Sequence, residues 1–116
     1  MDGEKQAKAE GEFVFLYSSF GSEEEAGRVA EALVRERLAA CVNIHPAMRS
    51  VYEWKGRAEV AGEAAAFIKT QAALLPVVME RLRALHSYEV PTMLVLPIAG
   101  GNDDYLAWAR GQLREA

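Results

Sequence analysis

The apolar residues fall into short blocks whose spacing alternates between the period of a strand and that of a helix. Phe13 to Ser19 is a continuous apolar and aromatic run ending at a Ser-Phe-Gly-Ser loop, the pattern of a strand covered on both faces. Ser22 with Glu25 three residues on forms a capping box, and Glu23 and Glu24 suit the positive end of a helix. Ala26, Val29, Ala30, Leu33, Val34 and Leu38 then step by three and four, which predicts a helix with one apolar stripe. Cys41 to Ile44 begins an extended segment that pauses at His45-Pro46, because the residue before proline is pushed out of helical angles. It resumes at Ser50 to Trp54, and Lys55-Gly56 marks a hairpin tip where glycine supplies a positive backbone angle.

Pattern and propensity disagree over the next stretch. Glu63 to Ile68 is rich in helix formers, yet the hairpin turn before it and a helix-start signal at Leu75-Pro76 favour a strand from about Arg57 to Thr70. Val78, Met79, Leu82 and Leu85 predict a helix over Pro76 to Leu85. Met93 to Leu96 is again a continuous apolar strand; Gly100-Gly101 turns the chain, and Asn102, Asp103 and Asp104 suit the cap and first turn of a third helix carrying Leu106, Ala109 and Leu113. The order is βαββαβ plus a C-terminal helix, an α+β chain of the ferredoxin-like sandwich type: four antiparallel strands with both main helices on one face. The two unbroken apolar strands, Phe13 to Ser19 and Met93 to Leu96, require a cover on the other face as well. A lone subunit supplies none, so self-association through that face is expected.

Composition narrows the setting. At 116 residues and 51% hydrophobic the chain makes one domain, expected over residues 13–116. Residues 1–12 offer no apolar stretch and are expected to be a disordered tail; they hold −2 of the formal charge of −4. An acidic chain lacks the phosphate-neutralising face that nucleic acid or an anionic membrane needs, and the predicted third strand has none of the basic and aromatic residues of an RNA-recognition sheet. A single cysteine excludes an internal disulfide, and two histidines exclude a four-ligand Cys/His zinc finger within one chain. Short apolar runs and a start without a secretory stretch point to a reducing cytoplasm.

Five motifs, in order, carry a family resemblance: Glu36-Arg37-Leu38-Ala39-Ala40-Cys41-Val42-Asn43, Tyr52-Glu53-Trp54-Lys55-Gly56, Ile68-Lys69-Thr70, His86-Ser87-Tyr88-Glu89-Val90-Pro91 and Asp104-Tyr105-Leu106-Ala107-Trp108. Over roughly Phe13 to Leu113 the chain resembles the CutA divalent-cation-tolerance proteins. The resemblance implies a ferredoxin-like subunit, a PII-like homotrimer with its sheets turned inward, and a link to copper and other divalent metals. It also supports a strand over Ala64 to Thr70. Two departures stand out: the family commonly has proline where this chain has Ser87, and it is often more acidic after the hairpin, where this chain has Val60, Ala61 and Gly62 between Glu59 and Glu63.

Cys41 as thiolate and His86 as imidazole suit copper or zinc better than magnesium or calcium, and Glu59 or Glu63 could add a carboxylate, with Glu59 the possible third metal ligand. The plainer readings are a small buried core cysteine and a histidine capping the negative end of a helix. Tyr52, Trp54, Lys69, Tyr88 and Glu89 form a second constellation, able to line a cleft for a small anion or a seam between subunits. His45 is a minor ligand candidate, and the methionines are too scattered for a copper-binding cluster. No nucleophile-base motif and no phosphate loop is present, so an enzyme is not expected. The leading expectation is a homotrimeric copper-binding tolerance protein; the alternatives are a PII-like trimer holding a small metabolite between subunits, and a trimer that anchors another protein.

Overall fold

The computed structural model describes residues 6–8 and 12–116. Its elements are β1 (Gln6–Lys8), β2 (Phe13–Phe20), α1 (Glu23–Arg35), β3 (Cys41–Trp54), β4 (Arg57–Gln71), a single 3-10 turn (Ala72–Leu74), α2 (Leu75–Leu85), β5 (Leu94–Pro97), β6 (Gly100–Asn102) and α3 (Asp103–Gln112). The main sheet is antiparallel in the order β3-β4-β2-β5, the ferredoxin-like arrangement expected. Both main helices lie on the face that carries Leu16, Phe20, Ala66 and Ile68, closing a core with Val29, Leu33, Val78 and Leu82.

The alanine-rich stretch is strand despite its helical propensity. Phe13 to Phe20 pairs in unbroken register with Ala64 to Gln71, satisfying the backbone groups of a central strand that would otherwise be buried unpaired. Small side chains serve there: Ala64 and Ala66 are each 1% exposed in the core beneath the helices.

Several local expectations change. Gly100-Gly101 is not a turn; with Asn102 these residues form β6, paired with β1 at Lys8, Ala7 and Gln6. Most of the stretch expected to be a disordered tail lies outside the described residues, but Gln6–Lys8 runs as that strand, and Glu12 binds Arg110 at 2.7 Å and Gln71 at 2.9 Å. Asn102 precedes α3 but donates to the Asp104 carboxylate at 2.6 Å and makes no side-chain cap to the backbone. The pause at Pro46 is a bulge: register shifts between His45 and Met48, with Ala47 at φ 58°.

Only the inner half of the β3–β4 hairpin joins the sheet. Residues 57–63 of β4 pair with β3 alone, so the outer hairpin is a two-stranded arm that leaves Val51 (71%), Trp54 (60%) and Val60 (64%) exposed. The apolar strand near the C-terminus is uncovered too, with Leu94, Val95 and Leu96 all exposed in the single chain. A two-stranded ribbon is marginal by itself in water, and both the arm and the open sheet face leave apolar side chains exposed in the single chain.

At the tip, Lys55 (φ 53°) and Gly56 (φ 77°) both take left-handed angles, the type I′ geometry that suits a two-residue hairpin and prefers Asn-Gly. Lys55→Asn should stabilise the fold by about 0.5 kcal/mol, whereas Gly56→Ala should cost about 1 kcal/mol. Thermal unfolding of the two variants beside the parent chain checks both signs.

Candidate functional site

The connection after α2 is organised by one buried side chain. The His86 N–H closes the helix on Leu82 O at 2.9 Å, and the backbone then becomes extended. Its ring, 8% exposed for the whole residue, stacks on Phe20 at 4.4 Å and 13°. Nε2 lies 2.8 Å from the Ser19 carbonyl, which can only accept, so the hydrogen-bond network places the proton on Nε2. Nδ1 then accepts the Tyr88 N–H at 3.1 Å. Both ring nitrogens are spent on backbone groups. The ring does not cap its helix, and it could ligate a metal only by giving up one of these bonds.

Glu25, also buried, sits 3.8 Å from Nδ1, too far for a hydrogen bond. Its carboxylate instead accepts from Ser87, the N–H at 2.8 Å and the hydroxyl at 3.0 Å. The capping box is therefore half formed: Ser22 Oγ accepts the Glu25 N–H at 3.1 Å, but the Glu25 side chain reaches a residue 62 positions away. A proline at position 87 would have no N–H to give, so this departure from the family pattern tethers α1 to the connection. Beyond it, the Tyr88 hydroxyl donates to Glu63 at 2.6 Å, and Ser50 donates to the other Glu63 oxygen at 2.5 Å. Burial, reinforced by that carboxylate, pushes the Tyr88 phenol up to about 12, so it remains a neutral donor.

This network forms one wall of an open cleft that runs along the arm. Tyr52, Trp54 and Tyr88 line it with Glu59 and Glu63, which joins three residues of the predicted aromatic constellation. Lys69 and Glu89 are not among them. Lys69 stands ten positions along β4 from Glu59, about 30 Å in an extended strand, in register with Cys41 and Phe15. Glu89 is exposed and has no hydrogen bond or ion pair among the described residues.

The three predicted ligands are likewise dispersed within the chain. Cys41 is half-buried at the start of β3. His86 meets the sheet at Ser19, four residues along β2 from the row of Cys41, about 13 Å along the strand and two strands across. Glu59 lies far out on the arm, opposite Tyr52. No group of three or more His, Cys, Asp or Glu among the described residues is placed to hold a metal ion. His45 is exposed, its ring edge-on to Phe67 at 5.5 Å, and Met48 accepts from the Tyr17 hydroxyl at 3.7 Å. What the sequence did not disclose is the Glu25–Ser87 link, for which no spacing rule exists.

Burial alone would raise the Glu25 carboxyl, but the two Ser87 donors, joined by weaker contributions from His86 and the Gly21 backbone, hold it below the ordinary 4.5. A carboxyl lower in the folded than in the unfolded state adds stability above about pH 4.5 that is lost as pH falls through its folded value. Glu12 and Glu36, held low chiefly by hydrogen bonds from Arg110 and Arg81, act in the same direction but are more exposed and screened. Glu25→Gln should cost about 1–2 kcal/mol at neutral pH and flatten the acid limb of the stability curve below pH 4.5. Denaturant melts at a series of pH values measure both effects.

The profile of the CutA1 divalent ion tolerance proteins matches residues 14–112. The divalent-cation tolerance protein CutA of Thermus thermophilus is 49% identical over 89 residues, covering 77% of this chain and 86% of that protein. Chloroplastic protein CutA of Arabidopsis thaliana is 41% identical over 101 residues, and there the chain spans only 56% of the relative's length. Among solved structures, CutA of Synechococcus elongatus superposes with a TM-score of 0.90 at 30% identity, covering 95% of this chain and 96% of that one, and the Thermus thermophilus protein with 0.84 at 43%, covering 88% and 99%. The Arabidopsis relative is named chloroplastic and one from Archaeoglobus fulgidus periplasmic, so the cytoplasmic setting expected from the sequence gains no support from them. No helix among the described residues is long and apolar enough to cross a membrane. With its motifs, its sheet order and this profile in agreement, the chain belongs to the CutA1 divalent ion tolerance family.

Proposed function

We propose that the chain is one subunit of a non-enzymatic homotrimer that binds a divalent transition metal, copper first, and contributes to cation tolerance. The observation that carries the assembly is the two-stranded arm with its exposed Val51, Trp54 and Val60, beside an open sheet face that leaves Leu94 and Leu96 in solvent. Three copies arranged with their sheets inward cover all of that surface at once. The metal reading rests on family membership and on the ligand types present. Because Cys41, His86 and Glu59 do not meet within one chain, the proposed site is one assembled across the seam between subunits. Cys41 supplies the soft ligand and Glu59 the carboxylate, since Glu63 is engaged by Ser50 and Tyr88. His86 enters only by releasing the Tyr88 amide.

A second reading is favoured by one feature, the cleft shared by Tyr52, Trp54 and Tyr88. Flat aromatic walls in a trimer of PII-like shape suit a small planar metabolite, with metals incidental.

Light scattering on the eluting protein should give three times the 12.8 kDa chain mass, and a single-chain mass in dilute buffer would end the trimer proposal. In isothermal titration of the intact protein with copper, Cys41→Ser and Glu59→Gln should each weaken binding at least about tenfold. Unchanged affinity in both variants would remove the site. His86→Asn should lower the melting temperature with or without metal, because its hydrogen bonds are structural. A thermal-shift series of copper, zinc and nucleotides separates the two readings, since only a ligand that prefers the folded state raises its stability.

A further inference from the structure

Lys69, set apart from the arm cleft, belongs to another cavity. Where α3 crosses the end of the sheet it closes over a pocket of about 180 Å³ with walls from Phe13, Phe15, Ile98, Leu106 and Ala109. Lys69 is the one charged residue lining it among the described residues. Its ammonium lies 5.6 Å from the ring centres of both Phe15 and Tyr105, and no carboxylate among the described residues forms an ion pair with it. Of the other polar side chains there, Thr70 already donates to Leu38 O at 2.8 Å, and Tyr105 turns its ring to the Lys69 ammonium.

These features select a class of ligand. A dry apolar cavity of about 150 Å³ is large enough for benzene, so the space here suits a single ring or a branched chain of similar bulk. A half-buried cation held against two aromatic faces, with no acid to neutralise it, favours an anion over a neutral molecule. One ammonium without a converging set of backbone donors suits a monocarboxylate better than a phosphate, which calls for several donors. We infer that the pocket between α3 and the sheet binds a small monocarboxylate with an aromatic or branched apolar body, its carboxylate on Lys69 and its body against Phe13 and Leu106. This site lies within one subunit and uses none of the ligands proposed for metal.

The test uses the full chain in the presence of a chelator, so its outcome is independent of the metal proposal. Benzoate and its neutral isostere benzamide are titrated with detection by isothermal calorimetry and ligand-observed NMR. Benzoate should bind with a dissociation constant of about 1 mM or tighter, and benzamide at least about tenfold more weakly. Lys69→Met, which keeps the apolar stem, should bring benzoate down to the level of benzamide. Ala109→Leu, which fills the cavity, should weaken both. Equal binding of acid and amide by the unaltered protein, no binding of either, or a preference for the acid that survives Lys69→Met would each overturn the inference. The comparison of acid with amide needs no variant, so it stands even if a substitution impairs folding.

Discussion

Two helices can cover only one face of a four-stranded sheet, and most of this molecule's features trace to that limit. The face with Leu16, Phe20 and Ile68 is closed by α1 and α2. The opposite face carries Tyr17, Phe67 and Leu94 in one register row, with Phe15, Lys69 and Leu96 in the next, and among the described residues α3 covers one end of it, where Tyr105 reaches Lys69 and Arg110 lies over Phe13. The outer β3–β4 arm extends the same problem beyond the sheet, because two strands without a third have no inner side. Apolar residues therefore remain in solvent in the single chain.

The polar network at the end of the sheet works to the opposite principle, since nearly every group in it is satisfied internally. His86, Glu25, Ser87, Tyr88, Glu63 and Ser50 join α1, the connection after α2 and the root of the arm through hydrogen bonds of 2.5 to 3.1 Å. Polar groups paired in this way favour one geometry, and here they link the connection after α2 to the root of the arm through Tyr88 and Glu63. An unpaired hydroxyl stands out by contrast: Ser18 Oγ, fully buried in β2, has no partner among the described residues. Positioning is thus the first duty of His86, and any ligand role competes with two backbone hydrogen bonds.

Much of the fold could be read from the chain because its signals were local and physical. The Ser22 cap, the helical steps from Ala26 to Leu33, the interruption at Pro46 and the turn at Lys55-Gly56 each depend on a few neighbouring residues, and each occurs where the pattern puts it. The segment from Ala64 to Ala66 was harder, since its intrinsic preference pointed to helix and only pairing with β2 could overrule it. The site was less legible. Tyr52, Trp54 and Tyr88 do share a cleft, but Lys69 faces another cavity, and Cys41, His86 and Glu59 stand apart in the chain.

By itself the sequence determined the order of elements, the helix start at Ser22, the hairpin tip, and the presence of more apolar strand surface than one chain can bury. These follow from periodicity and backbone chemistry, which act over a few residues. Tertiary structure alone decided that Glu25 turns from its own helix end to Ser87, that His86 commits both nitrogens to Ser19 and Tyr88, and that Lys69 sits between Phe15 and Tyr105. Those contacts join residues as many as 67 positions apart. Their geometry depends on how α1, α2 and α3 are seated on the sheet, and no local spacing along the chain encodes it.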